Sequence, residues 1–530
     1  MPALESIMEQ LNGSHGAAIF AALREVFLVC LALAVAGLLL APHPGRKQFG
    51  WLACGVWLSL LLLLVHQGSW QLAGFRQPEF MRFMHFHDPR PDVQHKQVKR
   101  GTIYDWRGTV LAETDELDLS QRLYPLGPAA CHVVGYVHPR YGSAGVEHAA
   151  EATLAGYSFL NMAELDRFGR NLFDHRTALG GDMRLTLDAD LQRKAYALMA
   201  DRKGAVVVLR PTTGDILCLL SSPAFDPRDP AAELMDTENA PLLNRAVQGL
   251  YPPGSTIKIL LAGLATERHL SPQFRCPGEG FVPEKGAHPI RDSEYYIYLR
   301  EGRVWPGYGK IGLRVGFAHS SNVYFSQLGL MLGADAFNEL VSASHLNDRV
   351  VYYDGLAGAL ASEAGQVPRV YPGEQRTLAQ LAIGQGRMLV TPLHVAMWTA
   401  AVAAGGEMWR PRLRVDAEPV SWGRIFSSGA AAEVRELMRE AVTHGTGRAA
   451  NIPGLQVCGK TGTAEAGEGN DHAWFTCFAP RSRPEIVVTV LVEHGGYGAQ
   501  AAAPVARAML EEAVALGLLG ENASEQESAQ

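Results

Sequence analysis

Three short runs, far apart in the chain, carry side chains able to do acyl chemistry together. The first is Ser255-Thr-Ile-Lys258 within "YPPGSTIKILLAGLA". Two prolines and a glycine precede the serine, and apolar Ile257, Leu260, Leu261 and Leu264 recur at helical spacing, so the run reads as a helix start with a buried stripe. Residues three apart share a helix face, which lets Ser255 and Lys258 point the same way. A lysine in an apolar stripe is costly to keep charged; its pKa should fall, and a neutral amine beside a hydroxyl is a general base for a nucleophile. The spacing alone is weak, because chance supplies about 0.4 matches in a chain of this composition, and a helix start with one solvated lysine fits it too.

A nucleophile and its base need a proton relay, a second cation and oxyanion donors. "AHSSNVYF" offers Ser320 and Asn322, 65 residues after Ser255, where a loop enters a helix. "VCGKTGTAE" offers Lys460, Thr461, Gly462 and Thr463, another 140 residues on, in a strand whose glycines leave room for an extended substrate alongside. Each has a bland alternative: Ser320 as a helix cap, the Lys-Thr-Gly run as a turn after a strand. Glu465 and Asp471 read as loop charges, and His85, His87 and His95 as solvated linker residues. The seven cysteines lack metal-site spacing and read as small buried hydrophobes, so neither metal nor cofactor is expected.

The elements that must position these runs follow from periodicity. "TLDADLQRKAYALMA" (186–200) predicts an amphipathic helix with acid at its start. "GAVVVLRPTTGDILCLLS" (204–221) predicts a β-hairpin; "LQVCGKTGTAE", "AWFTCFAP" and "EIVVTVLVE" predict three more strands in meander order, followed by an alanine-rich helix at 501–518. Residues 240–445 between the two groups are mostly helical. Strands at both ends of a domain with helices between predict an α+β fold, one antiparallel five-stranded sheet with helices on its faces.

A chain of 530 residues with net charge −7 exceeds one ordinary core and offers no concentrated basic surface, which argues against nucleic acid. "VFLVCLALAVAGLLLA" and "FGWLACGVWLSLLLLLVH" are each near the ~20 residues that span a bilayer, joined by the seven-residue "PHPGRKQ". They predict a transmembrane hairpin. Arg46 and Lys47 in the link place it in the cytoplasm, with everything after residue 66 outside.

Together the motifs resemble the Ser-x-x-Lys, Ser-x-Asn and Lys-Thr-Gly set of penicillin-binding proteins and serine β-lactamases. "RGTIYDWRGTVLAE", "YPLGPAACHVVGYV" with "GVE", "RLTLDADLQ", "IGQGRMLVTPLHVA", "GKTGTAE" and "HAWFTCFAP" are similar more specifically to class B penicillin-binding proteins, over roughly 100–510. The resemblance implies the penicillin-binding transpeptidase fold over 186–518, behind a membrane anchor (1–66, helices about 18–41 and 49–66), a linker (67–100) and a short pedestal or dimerisation-like segment (101–185), with a disordered tail (519–530). It implies a peptidoglycan D,D-transpeptidase on the outer face of the bacterial cytoplasmic membrane, acting on stem peptides, acylated by β-lactam antibiotics and partnered by a polytopic membrane glycosyltransferase. Residue by residue, it implies that Ser255 is the nucleophile, Lys258 its base and Ser320 the relay. Lys460 would hold the Ser320 hydroxyl and keep Lys258 neutral by like-charge repulsion. Asn322 would bind the substrate amide and Lys258; Thr461, Gly462 and Thr463 form the substrate strand, with the N–H groups of Ser255 and Thr463 as oxyanion hole.

Two features depart from that pattern. Class B members usually have one membrane anchor where this chain predicts two, and the 101–185 segment is much shorter than the usual pedestal. The rival readings are a β-lactamase or β-lactam sensor, and a scaffold that mainly activates a partner glycosyltransferase.

Overall fold

The computed structural model describes residues 98–156, 178–233, 235–467 and 469–519. The predicted membrane spans, all but the last residues of the linker, and tail residues 520–530 lie outside the described residues. Among the described residues no helix is long and apolar enough to cross a membrane.

Short strands Ile103–Tyr104 (β1), Val110–Thr114 (β2) and Arg122–Leu123 (β3) of the first described segment form a sheet with Met183–Arg184 (β4) of the second, in the order β3-β2-β1-β4, with β4 parallel to β1. The first segment's hub is buried charge. Glu147, fully buried, accepts from Arg100 Nε and Arg122 Nε, both at 2.6 Å, and Arg100 also meets Glu151 at 2.7 Å. A carboxylate out of water is tolerated only with such partners. Helix α1 (Ala189–Met199) starts at Asp188, whose Oδ1 accepts from the backbone N–H groups of Asp190 and Leu191, as the sequence predicts. Its Oδ2 accepts from Trp106 Nε1 (2.9 Å) and Arg107 Nε (3.0 Å), so the capping acid also ties the turn after β1 to the main domain.

The main domain continues with β5 (Gly204–Leu209) and β6 (Ile216–Ser222), then helices α2 (Lys258–Glu267), α3 (Ser293–Arg300), α4 (Asn322–Leu332), α5 (Pro392–Ala403) and α6 (Ser428–Thr443). Strands β7 (Cys458–Ala464), β8 (His472–Ala479) and β9 (Ile486–Val492) and helix α7 (Ala503–Ala515) close it. The five long strands form one antiparallel sheet in the order β6-β5-β9-β8-β7. The chain thus returns its last strand pair to the first hairpin, and β7 is left as an edge.

Both faces are covered. Val207, Leu219, Trp474, Phe478 and Leu491 pack with residues of α2, α4, α5 and α6; Val206, Leu220, Phe475, Val488 and Val490 pack with α1 and α7. A strand buried on both faces needs no polar alternation, which is why "GAVVVL" and "IVVTVLV" are buried at every position and apolar save for Thr489, whose hydroxyl pairs with Thr476 at 2.7 Å. Helix α5, also buried along its whole length, is mostly apolar for the same reason, and its polar His394 and Thr399 are hydrogen-bonded. The five cysteines among the described residues are buried and unpaired; Cys458 and Cys477 lie on neighbouring strands β7 and β8 without a bond.

Candidate active site

The serine of the first motif sits on a single turn of 3-10 helix, Gly254–Ile257, that runs directly into α2. This turn nests against β7 at Gly462 and Thr463. Gly254 has φ +53°, its N–H donates to Gly384 O (3.0 Å), and a Cβ there would lie 2.5 Å from Thr463 O. From the strand side, a Cβ on Gly462 would come within 3.0 Å of Thr256 Cγ2 and 2.9 Å of Trp474 Cβ. Trp474 Nε1 closes the contact by donating to Pro252 O at 3.0 Å. Glycine is required at both positions, in the first for its backbone as well as its size.

Lys258 opens α2 and is fully buried. Its Nζ donates to Ser320 O and to Asn322 Oδ1, both at 2.7 Å, and lies 3.4 Å from Ser320 Oγ. Lys460 projects from β7, equally buried, and donates to Ser320 Oγ at 2.7 Å and to Thr461 O at 2.9 Å. The Ser320 hydroxyl therefore lies between two lysines. Ser255 is half-buried, and among the described residues its hydroxyl makes no hydrogen bond.

Electrostatics follow from burial. Desolvation lowers Lys258 to about 7, opposed by the nearby carboxylates of Asp292 and Glu294. Lys460 is pushed well below the usual lysine range, by desolvation first and by Lys258 second. The sequence-based expectation that like-charge repulsion from Lys460 is what keeps Lys258 neutral needs correction: loss of water is the main cause for both amines.

The loop carrying Ser320 is held under constraint. Ser320 has φ +58°, a left-handed backbone rare for a serine. The helix-cap alternative for Ser320 fails, because the cap is its neighbour: Ser321 Oγ accepts from Tyr324 N at 3.1 Å, which leaves the Ser320 side chain free to face the lysines. Asn322 Nδ2 donates to Arg291 O (3.0 Å), turning its Oδ1 toward Lys258. Thr461 Oγ1 pairs with Thr446 Oγ1, 2.6 Å away, and Thr463 is half-exposed. Thr446 N also donates to Ala318 O (3.1 Å), so one threonine links the Ser320 loop to β7.

Residues 204–511 match the family model of the penicillin binding protein transpeptidase domain, and residues 100–171 that of the penicillin binding protein A dimerisation domain. The chain belongs to the penicillin-binding protein transpeptidase family. Among its relatives, the peptidoglycan D,D-transpeptidase PbpA of Mycobacterium tuberculosis is 33% identical over 441 residues, 74% of this chain and 84% of the relative. The peptidoglycan D,D-transpeptidase MrdA of Acinetobacter baumannii is 30% identical over 463 residues, 72% of this chain and 65% of the relative. In solved structures, penicillin-binding protein A from M. tuberculosis as a ceftriaxone acyl-enzyme complex superposes with TM-score 0.69 at 29% identity, covering 80% of this chain and all of that one.

Within this penicillin-binding fold, four of the eight residues singled out from sequence, Lys258, Ser320, Asn322 and Lys460, are joined by hydrogen bonds, and Ser255 stands on the turn that leads into Lys258. Gly462 acts by its lack of a side chain, letting the Ser255 turn approach. Sequence reasoning missed Asp292, Thr446 and Trp474. Asp292 stands just before α3 and looks like that helix's cap; Thr446 carries no motif, and Trp474 lies in the quoted "HAWFTCFAP" run, where nothing local marks its contact with the Ser255 turn.

Proposed function

We propose that this protein is a serine-type peptidoglycan D,D-transpeptidase. The observation that carries the reading is the Ser320 hydroxyl shared by two buried lysines, one of them held at about 7, beside a half-buried serine with an open hydroxyl. Ser255 Oγ attacks the carbonyl of the penultimate D-alanine of a stem peptide as its proton passes to Lys258. The N–H groups of Ser255 and Thr463 receive the oxyanion, each donor contributing about 3 kcal/mol to the barrier. Collapse breaks the peptide bond, and Ser320 hands a proton to the departing D-alanine amine, drawing on the neighbouring lysines. The acyl-enzyme is then taken by an amine of a second stem peptide, which restores Ser255. The substrate lies extended along the free edge of β7, with Thr461 and Thr463 toward its carboxylate and Asn322 toward its amide.

The remaining parts of the reading rest on sequence. The hairpin at about 18–41 and 49–66 anchors the chain in the bacterial cytoplasmic membrane with the catalytic domain outside. The reduced 101–185 segment serves as pedestal, docking a polytopic glycosyltransferase that makes the glycan strands.

A fluorescent penicillin should label the purified protein covalently, with the adduct mapped to Ser255 by peptide mass spectrometry, and Ser255→Ala should abolish it. No label on wild type, or equal label on the variant, refutes the mechanism. Slow release of the label separates a transpeptidase from a hydrolase; many turnovers per second would favour β-lactamase.

A further inference from the structure

Asp292 lies outside all three motifs, yet it is the buried carboxylate at the root of the Ser320–Asn322 loop. It is 2% exposed and occupies the position before α3 where an aspartate ordinarily caps its own helix, but it makes no side-chain cap there. Its Oδ1 instead accepts from Ser321 Oγ (2.9 Å) and from Val323 N (3.1 Å), two groups at the start of α4. The residue before it, Arg291, offers the carbonyl that orients the Asn322 amide. Two consecutive residues thus grip Ser321, Asn322 and Val323, the three residues that follow a left-handed Ser320. Asp292 Oδ2 has no hydrogen-bond partner, so the carboxylate is buried with half its acceptors unused. Such a group costs stability unless it does something a neutral residue would not.

Building on the transpeptidase reading above, we propose that Asp292 is a positioning residue for the reaction: it holds the Ser320–Asn322 loop against Lys258 and supplies negative charge that moves upward the pH range over which Lys258 acts as base. The geometry requires the first part, because nothing else among the described residues bonds both Ser321 Oγ and Val323 N. The second part follows from the charges around the amine. Lys258 faces Lys460 from β7 and Asp292 and Glu294 from the α3 start, while the α4 entrance offers only the neutral Ser320 and Asn322. Around Asp292 itself stand the neutral thiol of Cys276 and phenol of Tyr308, Glu294, and the Lys258 amine. The two carboxylates therefore favour the protonated lysine against the desolvation that dominates it. Removing the charge of Asp292 must move deprotonation of Lys258 to lower pH.

The test compares wild type, Asp292→Asn and Asp292→Ala, following the second-order rate of acylation by a fluorescent penicillin from pH 5 to 10, with thermal midpoints and intact mass alongside. Asp292→Asn keeps an oxygen acceptor for Ser321 and Val323, so its high-pH plateau should stay within about threefold of wild type while the acid limb shifts to lower pH. Asp292→Ala loses both anchors and should drop the plateau by about a hundredfold, the loss that follows from misplacing catalytic groups by about an ångström. The proposal is overturned if Asp292→Asn gives the wild-type pH profile, if it loses as much activity as Asp292→Ala without moving the limb, or if Asp292→Ala acylates at the wild-type plateau. Wild-type labelling at Ser255 under the same conditions keeps a failure here distinct from a failure of the transpeptidase reading.

Discussion

At the scale of single residues the site is a problem in keeping two amines dry. Lys258 and Lys460 together offer their protons to one serine hydroxyl, and both are fully buried. The consequence for catalysis is that acylation of Ser255 by penicillin should rise with pH through about 7, the range in which Lys258 loses its proton, and Lys258→Met should abolish it. The same shift bears on stability. The unfolded chain keeps this lysine protonated up to roughly 10.4, whereas the folded one releases the proton above about 7. Between those limits the unfolded state binds more protons, so stability contributed at this position rises with pH. Denaturant unfolding at pH 7 and pH 9.5 should therefore show wild type gaining on Lys258→Met as pH increases; parallel gains would mean that the lysine is not depressed.

At the scale of elements, catalysis depends on how closely the turn before α2 sits on the edge strand β7. Gly254 and Gly462 make that contact possible from opposite sides. Gly254→Ala places a side chain in left-handed backbone, about 1–2 kcal/mol for a non-glycine residue, and drives it onto Thr463 O. Gly462→Ala presses on Thr256, Pro253 and Trp474. Both substitutions should slow penicillin labelling by about tenfold or more while lowering the thermal midpoint by only a few degrees, roughly the effect of 1–2 kcal/mol in a domain of this size. Labelling at the wild-type rate in Gly462→Ala would show that the nesting does not place Ser255. Much of this layer was legible: the Pro-Pro-Gly-Ser punctuation announced the turn, and the Gly-Lys-Thr-Gly run announced an open strand. The pairing of the two was not, because residues 254 and 462 meet only when the turn before α2 packs on β7.

At the scale of the whole molecule the catalytic sheet is flanked by an N-terminal segment with its own polar hub. Glu147 binds Arg100 and Arg122 out of water, and Asp188 ties Trp106 and Arg107 to α1. Glu147→Ala leaves two buried guanidinium groups short of a partner and should cost about 3–5 kcal/mol, seen as earlier unfolding or proteolysis within residues 98–156. Penicillin labelling of Ser255 at low temperature should persist, because none of these groups touches the site. Loss of labelling in parallel with the segment's stability would instead show that the two parts fold as one cooperative unit.

The sequence by itself determined the elements and the chemistry. β-rich apolar runs marked the strands, Asp188 marked the start of α1, and a lysine in an apolar stripe three residues from a serine marked a base of lowered pKa. Those features are local, written within a few residues of one another. Tertiary structure decided everything that depends on distant residues meeting in a dry place. It made Ser321 rather than Ser320 the cap of α4, set the carboxylates of Asp292 and Glu294 against the desolvation of Lys258, and turned Asp292 away from its own helix to hold another. Burial and electrostatic coupling are properties of the packed assembly, and no single stretch of chain contains them.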